Sequence, residues 1–490
     1  MRNPICAFCL LLLLSPIAAA APIPAGTGGP TSGSGAFVPA DLYRYENVTL
    51  GNGFRAVLNP RAGSRNVSFR LVVDVGLLDF DCRDRELPHL AEHLLFSGFD
   101  DLTETDLDAL IGALGGEWNA YTQPWKTEYQ LDIYSGHALD GLDVLFRMFT
   151  ATELSADGLA AARGVVHAES GGRPGLVRDY LYRWGFGEGA VDDSYRRFVP
   201  SSRTFCAQVP VTDHIGVADI ERFLGTHYLP GAMLLIAVGD FDPDELVATL
   251  EATWGTLPAG GAPRPVRGGD TLAPRAVDYR TRLNPVIGNT TQVTVDLFVA
   301  SPEPLSGEFF ALEQLAGWLD SRLYEEVRVN RGLAYTPTAS LVDQGDFMTV
   351  LLDAEVDPAR ADEVLAIMAD LVDALLREGI DADTLATQRQ GQLYRLAAQL
   401  DSNTSFSGIY VEASERLARG EPLPDIETAL GAYDAQALRT FAAERLAMDR
   451  ALIFRAAPTV TYRAAGWMLA AVAAVVALGL WRLLVRRRAR

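Results

Sequence analysis

The chain is interrupted near its middle. Pro258–Pro274 reads PAGGAPRPVRGGDTLAP, a stretch too rich in glycine and proline to continue a helix or a central strand. The chain therefore divides into two halves. About 220 residues lie between a first Gly/Pro/Ser stretch at residues 22–36 and this break, and about 180 follow it before an apolar C-terminus. Each half opens with strand-like alternation, VSFRLVVDVGLL at Val67–Leu78 and TQVTVDLFVA at Thr291–Ala300. Each then shows an amphipathic helix, a glycine-containing turn into another strand, and long Ala/Leu-rich helical segments. GGEWNAYT (Gly115–Thr122) and NRGLAYT (Asn330–Thr336) occupy matching places. The pattern predicts an α+β fold of two homologous domains, each a mainly antiparallel sheet covered by helices. The first domain is expected over residues 38–257 and the second over 280–457, joined by a linker at 258–279.

Both ends carry targeting features. Residues 1–21 place Arg2 before the apolar run Ile5–Leu14 and the small residues Ala18–Ala21, the order of a secretory signal peptide. A tether at residues 22–37 follows. Cleavage near Ala21 leaves Cys82 and Cys206, in a compartment that permits disulfides. A bridge between them and two separate thiols are both open readings. At the other end, Ala464–Trp481 has no charge and would span ~27 Å as a helix. Snorkelling of Arg482 extends the predicted transmembrane helix to 464–485. Trp467 and Trp481 sit at interfacial positions. The basic tail at 486–490 points to the cytoplasm by the positive-inside rule. A buried core helix is the other reading, but such a helix rarely ends in clustered arginines. For a bacterium these features predict a single-pass inner-membrane protein with a periplasmic body.

Charge narrows the partners. Without Arg2 and five C-terminal arginines, 36 basic residues face 63 acidic ones, about −27 for the exported body. A nucleic-acid partner is therefore not expected. Lys126 is the only lysine.

Chemistry is concentrated in Pro88-His89-Leu90-Ala91-Glu92-His93, at the start of a predicted helix. His89 and His93, at i and i+4, project from one face and suit a shared Zn²⁺. Glu92 lies beside them, where a carboxylate can take a proton from a water that the metal activates. This is the H-x-x-E-H order. Two surface histidines on a charged helix would give the same five residues. A catalytic zinc commonly has a third protein ligand. Leu154–Ser170 reads as a helix, and between Glu153 and Glu188 the only glutamate is Glu169.

With these segments the sequence resembles the pitrilysin and mitochondrial-processing-peptidase family of zinc peptidases. HLAEH is followed by Phe96 and Gly98. GGEWNAYTQPWKTEYQLDI matches the family's Gly-x-x-Asn-Ala-x-Thr and later Thr-x-Tyr. Val165-Val166-His167-Ala168-Glu169 puts Glu169 at the family spacing, and VRVNRGLAY supplies Arg328 and Tyr335. The resemblance spans about residues 40–455. It implies one zinc per chain on His89, His93 and Glu169, with Glu92 as general base. It further implies Asn119 and Ala120 on an edge strand that receives the peptide, and Arg328 and Tyr335 contacting substrate.

The chain departs from the family at Ala162-Arg163, where a Glu-Arg pair is common, at Gly98-Phe99 in place of Gly-Thr, and over Trp184–Phe198. His137, His167, His214 and His227 have no ligand-like spacing and are read as structural. The resemblance implies a zinc endopeptidase acting on extended or unfolded peptides; a non-catalytic binding or assembly subunit is the other reading. Four such domains form a clam-like chamber in the family. A two-domain chain is therefore expected to pair, as a homodimer or as a heterodimer with a paralogue.

Overall fold

The computed structural model describes residues 38–99, 102–170, 212–262, 277–345 and 347–488. The signal peptide, the first tether, Trp184–Phe198 and Cys206 lie outside the described residues. Cys82 is disulfide-bonded.

The first sheet has six strands: β1 (Glu46–Thr49), β2 (Arg55–Pro60), β3 (Asn66–Val73), β4 (Glu117–Thr122), β5 (Thr127–Tyr134) and β6 (Met233–Gly239). Their order is β1-β2-β6-β3-β5-β4. Only β2 and β6 pair in parallel. The second sheet has five: β7 (Val277–Gly288), β8 (Thr291–Val299), β9 (Thr338–Asp343), β10 (Met348–Val356) and β11 (Ala451–Thr461). Their order is β9-β10-β8-β11-β7, again with one parallel pair, β11 with β7. Laid over each other, β4-β5-β3-β6-β2 and β9-β10-β8-β11-β7 have the same connectivity. The mainly antiparallel, duplicated α+β architecture expected from the sequence is therefore present.

The first sheet packs one face on its own helices: α1 (Leu87–Leu95), α2 (Glu104–Ala113), α3 (Ala138–Thr150), α4 (Ala156–Glu169), α5 (Val217–His227) and α6 (Pro243–Ala252). The second sheet is covered by α7 (Gly307–Leu323), α8 (Ala361–Glu378), α9 (Ala382–Gln399) and, beyond α10 (Asn403–Glu412), α11 (Ala435–Arg445). Helix α10 crosses the boundary and lies on β3 and β6 of the first sheet. There Phe406, Ile409 and Tyr410 pack against Val57, Val72 and Ile236. This explains why β6 reads MLLIAVG without alternation: it is buried on both faces.

Polar contacts lock the same boundary. Arg70, 4% exposed, lies 3.4 Å from Glu128 and 3.7 Å from Asp132, and its Nε donates to Ser407 of α10. Lys126 donates to the Val411 carbonyl and Trp125 to that of Gly345. Asn403, which begins an Asn-Thr-Ser glycosylation sequon, is buried and donates to Ser64 and Asn66, an arrangement that leaves no room for a glycan.

One helix among the described residues is long and apolar enough to cross a membrane. It is α12 (Tyr462–Arg488), which follows β11 without a break. None of its apolar stretch is buried against the body.

Candidate metal centre

Helix α1 begins at Leu87, and Pro88 in its first turn is well placed because a helix start needs no N–H there. Its amphipathic pattern buries Leu90, Ala91, Leu94 and Leu95 in the first core and packs it against α4 and α5. The remaining face carries His89 and His93, whose rings lie 4.9 Å apart. Helix α4 spans Ala156–Glu169, within the predicted Leu154–Ser170. It is capped by Ser155, whose hydroxyl accepts from Gly158 N–H, and it presents Glu169 in its last turn. Arg163 anchors α4 by donating to the carbonyls of Thr212 and Ile215.

Three donor atoms converge. His89 Nε2 is 3.0 Å from Glu169 Oε2 and 3.2 Å from His93 Nε2, and His93 Nε2 is 3.5 Å from Glu169 Oε2. Donors on a tetrahedral zinc with bonds of ~2.0–2.1 Å stand roughly 3.3 Å apart. The triangle fits that ion, and its two-imidazole, one-carboxylate set leaves a further position free. Burial works against a charged His89. Its hydrogen bonds to Glu169 and to Glu86, whose Oε2 is 3.1 Å from His89 Nδ1, outweigh this and raise its pKa to about 10. Those contacts with His89 hold the Glu169 carboxyl below its usual value.

Glu92 is 6% exposed. Burial raises its pKa, against the opposing effects of a Thr122 hydrogen bond and of His89 and His93. The Thr122 hydroxyl donates to Glu92 Oε2 over 2.5 Å. A carboxylate so placed is held ready to accept a proton. Thr122 stood in the motif without an assigned role; its signal was its position, ending the edge strand on the face that meets α1.

Strand β4 pairs with β5 on one side, and among the described residues nothing pairs with its other side. Asn119 is exposed and Ala120 is 9% exposed. The Ala120 N–H leaves the ladder and donates to the Asn119 side-chain oxygen over 2.8 Å. Phe96 at the end of α1 meets Trp118 of β4 edge to face at 4.8 Å, fixing the helix against the strand. Gly98 has φ 121°, and a Cβ there would strike the Leu102 carbonyl, so this glycine is required whatever follows it.

Arg328 and Tyr335 are brought together elsewhere. Helix α7 ends in a π-helical turn, Tyr324–Val329, of the kind often found at functional sites. Arg328 on it lies 4.2 Å from the Tyr335 ring and donates to the Tyr335 carbonyl. The partners seen for Arg328 all belong to the second unit, and Tyr335 is 77% exposed. NRGLAYT precedes the second edge strand, β9, instead of lying on it. The four-residue turns align Thr122 with Asp343, so the sequence match with GGEWNAYT is displaced.

The four histidines read as structural behave so: His137 meets Asp140, His214 meets Asp84, His167 meets Thr212, and His227 packs on Phe80 and Phe223. Ala162 is buried in the core.

Two family descriptions match this chain: insulinase (peptidase family M16) over residues 55–173, and the peptidase M16 inactive domain over residues 214–392. An uncharacterized zinc protease of Mycobacterium tuberculosis is 28% identical over 350 residues, covering 70% of this chain and 77% of that protein. A protease from Helicobacter pylori has a similar fold, with TM-score 0.70 at 18% identity, covering 84% of this chain and 99% of the other. The periplasmic protease PqqL of Escherichia coli gives TM-score 0.66 at 18% identity; the match covers 84% of this chain but 45% of PqqL.

Proposed function

The chain belongs to the peptidase M16 family, and on that premise we propose that it is a membrane-anchored zinc endopeptidase that hydrolyses extended or unfolded peptides. The observation that carries the reading is the His89–His93–Glu169 triangle beside a buried Glu92 that is tied, through Thr122, to an open edge strand. A zinc ion held by the triangle would supply Lewis acidity, polarising the scissile carbonyl and acidifying a water. The chain's own residues do the rest. Strand β4 binds the peptide as an added strand, with the Ala120 N–H turning from Asn119 to a substrate carbonyl. Glu92 accepts the proton of the attacking water and passes it to the leaving amine. Arg328 and Tyr335 steady the substrate carbonyls from the opposite shell.

Because this chain supplies one shell, the proposal includes a homodimer in which each copy's Arg328 and Tyr335 serve the other's zinc; a heterodimer with a paralogue is the alternative. The apolar run of helix α12 and the arginines at its C-terminal end support a periplasmic body on the inner membrane. A non-catalytic peptide-binding subunit is a second reading, favoured by Ala162.

The test uses the full chain purified in detergent. Elemental analysis should find one zinc per chain, His93→Ala should lose it, and the parent should cleave an unstructured peptide. Zinc retained in His93→Ala would defeat the metal assignment. Zinc bound without cleavage of a diverse peptide library would favour the non-catalytic subunit.

A further inference from the structure

We propose that Glu86 is the positioning residue for His89, doing in this chain what Ala162 cannot. The proposal rests on the zinc reading above. Glu86 is the N-cap residue of α1, yet its side chain caps no helix N–H. Two of the three nearest donors are closed to it. Leu87 N–H is already bonded to the Asp84 carbonyl, and Pro88 has no N–H to offer. The carboxylate turns instead to His89 Nδ1, 3.1 Å away, with the two side chains 16% and 22% exposed. A largely desolvated carboxylate that neglects the helix end has given up its ordinary partner for the imidazole.

The consequence is directional. With Nδ1–H donating to Glu86, the Nε2 lone pair is fixed toward His93 and Glu169. On α4, position 162 lies two turns before Glu169, where the family commonly has a glutamate. Here a buried alanine offers no acceptor. The orienting carboxylate has moved from α4 to the start of α1.

A negative charge at a helix N-terminus is also stabilising by itself, so melting temperature cannot separate the two roles. Zinc affinity can. Full-length Glu86→Ala and Glu86→Gln chains are titrated with zinc against a competing chelator, and their metal-free melting temperatures are recorded. Glu86→Ala should bind zinc about 10- to 100-fold more weakly, and Glu86→Gln, whose amide oxygen can still accept from Nδ1–H, should fall nearer the low end of that range. In the same chains kcat should fall with KM little changed. Zinc affinity within about twofold of the parent in Glu86→Gln, whatever its melting temperature, would overturn the role, and this isosteric variant decides the matter if Glu86→Ala does not fold. A parental chain that binds no zinc overturns the zinc reading and the role of Glu86 with it; the parental stoichiometry tells that outcome from the first.

Discussion

Strands β4 and β9 hold the same place in two copies of one sheet, each at the edge and paired on one side with the strand that follows it. Their outward donors are treated differently. The Ala120 N–H of β4 is bonded only to the side chain of its neighbour Asn119, which can swing away. The Ala339 N–H of β9 is bonded to Asp320 of α7, half-buried and fixed in a packed helix. One edge is left able to take another strand and the other is plugged, which is how proteins suppress unwanted pairing. The helices differ in parallel. Both α1 and α7 carry a desolvated carboxylate, but buried Glu92 faces two imidazoles and a threonine hydroxyl, whereas half-buried Glu313 meets Gln392 with Arg395 nearby. The scaffold is present twice, and side chains at a few positions give one copy the cluster proposed as a metal centre.

The largest contrast is expected between the two carboxylates. Glu92→Gln should lower kcat roughly a hundred- to ten-thousandfold while zinc stays bound. Glu313→Gln should leave cleavage unchanged and alter the pH dependence of stability. Burial raises the Glu313 pKa to about 7, so the native state prefers it protonated. Its stabilising contribution is complete below the ordinary glutamate value and is lost as pH rises to about 7. At pH 8 Glu313→Gln should therefore be more stable than the parent, by about 2 kcal/mol, and below pH 4 the gain should vanish. Denaturant titrations at the two pH values check this; a gain that is the same at both would refute the titration.

Proline at the two edges comes next. Ala120→Pro removes a donor that the ladder does not use, so melting temperature should barely move while kcat/KM for an extended peptide falls about tenfold. Ala339→Pro strands Asp320 without its donor and should cost about 1–3 kcal/mol of stability with KM untouched. Similar losses of melting temperature in both would erase the contrast drawn between the edges. The smallest effect is expected from Thr122→Val, which keeps the volume but deletes the hydroxyl at Glu92: kcat lower by about threefold with zinc content unchanged. Unchanged kcat there would leave Thr122 with a packing role only.

Much of the centre was legible because its residues obey short-range rules. His89 and His93 share a helix face at i, i+4, and Glu169 was the only glutamate in its helix. In the sequence the break at Pro258–Pro274 falls between β6, which ends at Gly239, and β7, which begins at Val277. What escaped depends on distance in sequence. Glu86 and Thr122 gain meaning only once a helix cap and a strand end meet the same imidazole–carboxylate cluster. Asp320 and Ala339 sit on separate elements. Helix α10 lies among second-half helices in the sequence but covers the first sheet, and no periodicity reports which sheet an apolar face will meet. The match drawn between GGEWNAYT and NRGLAYT failed because similar letters were aligned before the hairpin turns were known.

The passage from β11 directly into α12 has a mechanical consequence. Strand β11 lies between β8 and β7, paired with β8 over Ala451–Ala456 and with β7 from Leu452 to Thr461. A pull transmitted through the helix would act along the strand axis, loading the rungs of both ladders together in shear instead of opening them one at a time. Resistance to such a pull is set by the rate of unfolding. A peptide being drawn from the far shell while the helix is held would thus meet a mount that transmits load into the sheet itself, with no slack segment between Thr461 and Tyr462 to absorb it.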